Sequence, residues 1–182
     1  IMARLSQAEV RGRFLLIFAG ALWNIAITFG LLGILDGHMN AHEMLEMPTV
    51  VWPALFSSYA IIAFLVLVIH RSRKHTQTIA PQWFILASLL WFPALFLIAW
   101  NGLEVNPARG TLQSVISMWF GQSLIWLWLT PMALGTAYYI IPAIMGKPID
   151  KYYLAIFGFW CIAALAPWSV VHHLEGGPVP KW

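Results

Sequence analysis

Residues 118–141 read MWFGQSLIWLWLTPMALGTAYYII, a stretch without a single Asp, Glu, Lys or Arg. A helix needs about 20 apolar residues to cross roughly 30 Å of hydrocarbon, and this stretch meets that length with no charge to exclude it from lipid. Four further segments have the same character: Phe14 to Leu35, Val50 to Ile69, Trp83 to Trp100 and Tyr153 to Val171. Each boundary is read from charge, Gly or Pro: Arg13 before the first span, Asp36-Gly37 after it, His70 to Lys74 after the second, Asn101-Gly102 after the third and Pro142 after the fourth. Backbone groups in lipid find no water, so segments of this length must be helices that satisfy their own hydrogen bonds. The expected fold is an all-α membrane protein, an antiparallel bundle of five transmembrane helices forming one transmembrane domain over residues 1–182.

Composition supports the same class. The chain is 182 residues, 60% hydrophobic and only 9% charged, against about 25% charged in ordinary soluble domains. Its expected partner is the lipid bilayer and not nucleic acid, because the few cations are placed as topology signals and not as a nucleic-acid-binding patch. Arg4, Arg11, Arg13, Arg71, Arg73, Lys74, Lys147 and Lys151 fall on one side of the spans, and only Arg109 and Lys181 on the other. The positive-inside rule therefore puts the N-terminus in the cytoplasm and His172-His173 at the outer end of the fifth span. Trp52, Trp83, Trp100, Trp119, Trp168 and Trp182 fall near span ends, where amphipathic rings favour the headgroup level. No signal peptide is read in the mixed residues 1–13, and the start at Ile1-Met2 leaves open that the chain is an excerpt. Cys161, the only cysteine, allows no internal disulfide and is read as a small buried hydrophobe.

Chemistry concentrates at two places. Two adjacent imidazoles, His172-His173, stand at a membrane boundary, either as a solvated pair or as ligands for copper, iron or zinc. A metal needs more donors, and the fourth span runs from outside to inside, so the polar residue at the matching depth is Gln122. Its amide is a weak oxygen donor where an imidazole would bind firmly. Further along the span lie Thr130, Thr136, Tyr138 and Tyr139, hydroxyls that carry a proton path or else bond to backbone and neighbouring helices. No span contains a buried carboxylate, which argues against an ion-coupled transporter. Asn24 is assigned to helix packing. His38 and His42 are read as a solvated outer loop in preference to a metal pair, and His70 and His75 flank the basic inner loop. Glu175 is either part of a turn or a carboxylate orienting one imidazole.

These residues resemble a known family, the large catalytic subunit of haem-copper oxidases, and most closely the cbb3-type cytochrome c oxidases. Trp119-Phe120-Gly121-Gln122 looks like the aromatic-Gly-His opening of the family's sixth helix. Leu129-Thr130, Tyr138-Tyr139-Ile140-Ile141-Pro142 and Gly146-Lys147-Pro148-Ile149 are similar to the run leading into the seventh. Phe159-Trp160, His172-His173-Leu174, Pro180 and Trp182 look like that helix and the residues just beyond it. The resemblance covers nearly the whole chain, as the family's third to seventh helices.

It implies oxygen reduction at a centre of haem iron and copper, electrons from a cytochrome c-type donor, coupled proton translocation, and partner subunits in a respiratory complex of the bacterial inner membrane. His172 and His173 match two copper ligands, and Thr130 and Tyr138 match positions of the proton path. Three departures stand out. Gln122 occupies the place of the third copper-ligand histidine. The tyrosine tied covalently to a copper ligand is absent, with Trp126 and Ala166 at the two positions where family branches keep it. No segment matches the helices that carry the haem ligands. Two alternatives therefore stay open beside the oxidase core: a non-catalytic structural or assembly paralogue, and a relative of the nitric oxide reductases.

Overall fold

The computed structural model describes residues 1–174, with side chains described as far as Val171. Every regular element among them is helical, and five helical stretches are long and apolar enough to cross a membrane: Arg13–Leu35, Thr49–Arg71, Ala80–Val105, Thr111–Met145 and Tyr152–Val171. The chain is an all-α integral membrane protein. It divides into two compact units, Ile1–Thr78 and the residues from Ile79 onward.

The first unit holds α1 (Met2–Ser6), α2 (Arg13–Leu35) and α3 (Trp52–Arg71), the last preceded by a 3₁₀ turn at Thr49–Val51. α2 packs on α3 with only Ala19, Ala26 and Gly30 buried. Small residues at one helix face let two backbones approach, which is how helices associate where lipid removes the hydrophobic drive. Phe14, Ile17, Phe29 and Leu35 stay exposed, as suits a face turned to acyl chains. Asn24 differs from the packing expectation: it is exposed, and its amide donates to the Gly20 carbonyl at 2.7 Å within its own helix. Trp52, at the start of α3, is 1% exposed and its indole N–H donates to the Met47 carbonyl at 2.9 Å, so it anchors the preceding loop.

At the other end, α1 packs on α3 and is tied to the following loop. The Lys74 N–H donates to the Ser6 carbonyl at 3.1 Å. His75 Nε2 lies 2.6 Å from the Leu5 carbonyl oxygen, and its Nδ1 lies 2.8 Å from that of Gln77.

The second unit is organised around α4 (Ala80–Trp100), which continues as a π-helical segment at Asn101–Val105. The third span therefore runs past Asn101-Gly102, where the sequence pattern had it stop. α5 (Thr111–Ser123), a π-helical segment at Leu124–Leu129 and α6 (Thr130–Met145) make one continuous fourth span. It starts seven residues before Met118, just after Gly110, and passes through Pro142 to end at Gly146, whose φ of 62° is left-handed. Gly without a Cβ adopts that conformation freely, which ends a helix more firmly than a proline that keeps a helical φ. α7 (Tyr152–Leu165) and a 3₁₀ segment at Ala166–Leu174 complete the unit. Cys161 is half-buried, not fully buried as expected.

α4 buries Phe84, Ile85, Ser88, Leu89, Phe92 and Phe96 among others, and it packs on α6 more extensively than on α5 or α7. Gly135 makes that contact close. A Cβ at this position would lie 2.8 Å from Ile85 Cγ1, 3.0 Å from the Pro81 carbonyl oxygen and 3.1 Å from Phe84 Cβ. Gly135→Val is expected to destabilise the protein by about 1–3 kcal/mol through overpacking against backbone. Gly158→Ala, where nothing lies within 4 Å, should be neutral or slightly stabilising; unfolding titrations of both in detergent check the pair.

Candidate functional site

Pro131 shapes the middle of the fourth span. A proline inside a helix has no N–H to donate, and its ring meets the carbonyl four residues back, here that of Leu127. The π-helical widening at Leu124–Leu129 lies directly before it and relieves that clash. Widened turns of this kind are frequent at functional sites. They also change which residues share a face, because the repeat shifts from i+4 towards i+5. Trp126, four after Gln122, is 44% exposed, whereas Leu127, five after it, is 5% exposed.

Gln122 is half-buried on the last turn of α5. Around it Phe120, Gly121 and Ser123 are buried. Ser123 is 1% exposed, and its Oγ has no hydrogen-bond partner among the described residues. Nothing in the sequence singled out Ser123; the signal was Pro131, whose consequence for the preceding turn is a matter of backbone geometry. α5 packs against the 3₁₀ segment Ala166–Leu174, whose backbone carries His172 and His173. The elements bearing the three proposed metal donors are thus neighbours. The side chains of His172 and His173 lie outside the described ones, as do Glu175, Pro180 and Trp182. Among the described residues no group of three or more His, Cys, Asp or Glu could hold a metal ion.

Ala166 is 7% exposed at the start of the 3₁₀ segment, where its carbonyl accepts the Ser169 hydroxyl at 2.7 Å. Aromatic rings hold the surrounding helices in place. Phe159 of α7 stacks with Trp91 at 5.8 Å and meets Phe84 edge-on at 5.2 Å, and Phe92 lies 4.6 Å from Trp128 of the widened turn. Such pairs each add about 0.5–1.5 kcal/mol beyond their burial.

Thr130 and Tyr138 are both half-buried on α6, eight residues and so about 12 Å apart along the axis. The Tyr138 ring packs on Phe84 at 5.4 Å. Tyr138 also lines a cavity of about 470 Å³ together with Leu134, Ile141, Met145, Lys147 and Asp150. Pro142 removes the usual helical donor for the Tyr138 carbonyl. Thr136 is absorbed by its own helix, its hydroxyl donating to the Met132 carbonyl at 2.8 Å.

The remaining described histidines belong to the first unit. His38 is exposed, with Nδ1 3.3 Å from Asp36 Oδ2, whereas His42 is half-buried; both lie in a loop without helix. His70 and His75 stand at the inner end of the first unit.

A five-span all-α chain with a π-helical break in its fourth span and a histidine pair at the end of its fifth defines a class. The chain matches the family of cytochrome c and quinol oxidase polypeptide I over residues 2–182, and it belongs to that family. Among its relatives is a cbb3-type cytochrome c oxidase subunit of Stutzerimonas stutzeri, 26% identical over 175 residues, 88% of this chain and 35% of the relative. A cytochrome c oxidase subunit 1 homolog of Agrobacterium tumefaciens is 27% identical, over 87% of this chain and 30% of the relative. Cytochrome c oxidase subunit 1 of Rhodobacter capsulatus is 27% identical, over 99% of this chain and 35% of the relative. The chain spans about a third of the length of these relatives.

Deleting Ile125 should convert the π segment to regular helix and turn α5 by about 100° relative to α6. The tight Gly135 contact pins α6, so α5 is the half that moves. With Ser123→Cys as reporter, thiol labelling in detergent should be slow in the parent sequence and faster in the deletion variant, with helix content unchanged; equal protection in both would contradict this geometry.

Proposed function

We propose that this chain forms part of the membrane-embedded core of a respiratory haem-copper terminal oxidase of the bacterial inner membrane, divergent at its copper position. In that reading a cytochrome c-type donor supplies electrons for oxygen reduction, protons are translocated, and other subunits complete the complex. The observation that carries it is the packing of α5, which bears Gln122, against the 3₁₀ segment that bears His172 and His173, in a chain of this family.

The donor set fits copper incompletely. His172 and His173 would hold the metal, with the Gln122 amide oxygen as a weak third donor, since imidazole suits copper far better than a neutral oxygen. Bound copper, paired with haem iron, supplies the one-electron chemistry that oxygen reduction needs. Haem does not fit the described part of this chain. Of its histidines, His38 and His42 lie in the outer loop and His70 and His75 at the inner end, so no haem ligation is assigned to them.

What the chain's own residues supply is a route and a wall. Tyr138 lines a cavity together with Lys147 and Asp150, where its hydroxyl can relay a proton by accepting one from water as it donates its own, and Thr130 lies about 12 Å further along α6. Phe84, Phe92, Phe96 and Phe120 are all buried and keep water from the rest of the helix interfaces. The non-catalytic paralogue reading rests on Gln122 in place of an imidazole, together with Trp126 and Ala166 where family branches keep the tyrosine.

Gln122→His distinguishes the two. In the purified complex containing this chain, the variant should retain copper more tightly by on the order of ten- to a hundredfold, the range typical of altered metal environments. Unchanged metal content with normal helicity would remove the metal site and leave the structural paralogue.

A further inference from the structure

The inner end of the first unit carries five cations that the proposed oxygen chemistry does not use. Arg4 is exposed on α1, Arg11 and Arg13 are exposed at the start of α2, and Arg71 and Lys74 are exposed where α3 gives way to its loop. Three observations bring them together. α1 packs on α3 and is tied to the loop through the Lys74 N–H and His75. A Cβ on Gly12 would lie 2.9 Å from Leu65 Cδ2, so α2 begins beside the last two turns of α3. Arg73 is already committed as part of the frame, its guanidinium donating to the His70 carbonyl at 3.2 Å and the Thr76 carbonyl at 3.3 Å.

None of the five is paired with a carboxylate among the described residues, and Glu9 is the one acidic residue in this part of the sequence. Unpaired cations held close together repel and favour a shared counter-charge. Exposed apolar side chains lie between and beside them: Val10, Phe14 and Leu15, with Phe14 82% exposed. An acidic polypeptide would leave those side chains facing water, whereas a phospholipid satisfies both, with phosphate on the cations and acyl chain on Phe14 and Leu15. Clusters of this size at the cytoplasmic ends of transmembrane helices attract anionic headgroups. The inner end of the second unit lacks the excess, since Asp150 lies in sequence between Lys147 and Lys151.

We infer that Arg4, Arg11, Arg13, Arg71 and Lys74 form a binding face for anionic phospholipid headgroups in the leaflet on that side. The purified complex containing this chain, in bilayer discs of phosphatidylcholine mixed with phosphatidylglycerol, tests it by native mass spectrometry of the retained lipids. The wild-type complex should retain phosphatidylglycerol in preference to phosphatidylcholine, and R4Q/R71Q/K74Q should lose that preference by roughly fivefold per cation removed. R4K/R71K should keep most of it, and K147Q/K151Q should leave it unchanged. Equal retention of the two lipids by the wild type overturns the inference without reference to any variant. So does an R4Q/R71Q/K74Q complex of normal helicity that retains phosphatidylglycerol as the wild type does.

Discussion

Backbone amides and carbonyls in hydrocarbon have no water to turn to, and everything in this chain depends on how that constraint is met. Five helical stretches meet it by length and composition. The informative places are those where the helix cannot be regular. Pro131 removes a donor in the middle of the fourth span, and the backbone responds with the widened turn at Leu124–Leu129. That turn decides which face Trp126 and Leu127 occupy, and it lies directly after the α5 segment that carries Gln122 and the buried Ser123 hydroxyl. A local steric conflict thus sets the geometry of the region that carries Gln122.

Close packing then fixes what the break leaves free. Gly135 lets α6 approach α4 to backbone contact distance, and Phe84, Trp91, Phe159 and Trp128 interlock the neighbouring helices. The first unit uses the same device more simply, with Ala19, Ala26 and Gly30 as the buried side of α2. Its cationic end serves the interface, while the second unit carries the polar residues suited to chemistry.

The number and approximate position of the spans were legible because apolar length is written directly in the sequence, and the family was legible from aromatic-Gly, Tyr-Tyr and His-His runs. Helix ends were less so. Asn101-Gly102 and Pro142 look like stops, yet a buried helix continues through residues of poor propensity when its neighbours supply the packing, as α4 and α6 do. Asn24 was misplaced and the anchoring of Trp52 was missed for a related reason, since sequence shows that a polar atom exists but not which carbonyl it finds. At the site, Gln122, Thr130 and Tyr138 could be picked out by type, whereas Ser123 and the outward turn of Trp126 depend on a change of helical repeat that no residue announces by itself.

The central claim is that the neighbouring α5 and 3₁₀ elements belong to a redox centre despite the amide at position 122. The most direct measurement is metal analysis of the purified complex containing this chain, combined with its reduced-minus-oxidised visible spectrum. The account predicts haem bands together with copper retained in proportion to the chain. Absence of both from a correctly folded complex would contradict it and make the bundle a structural member of its family.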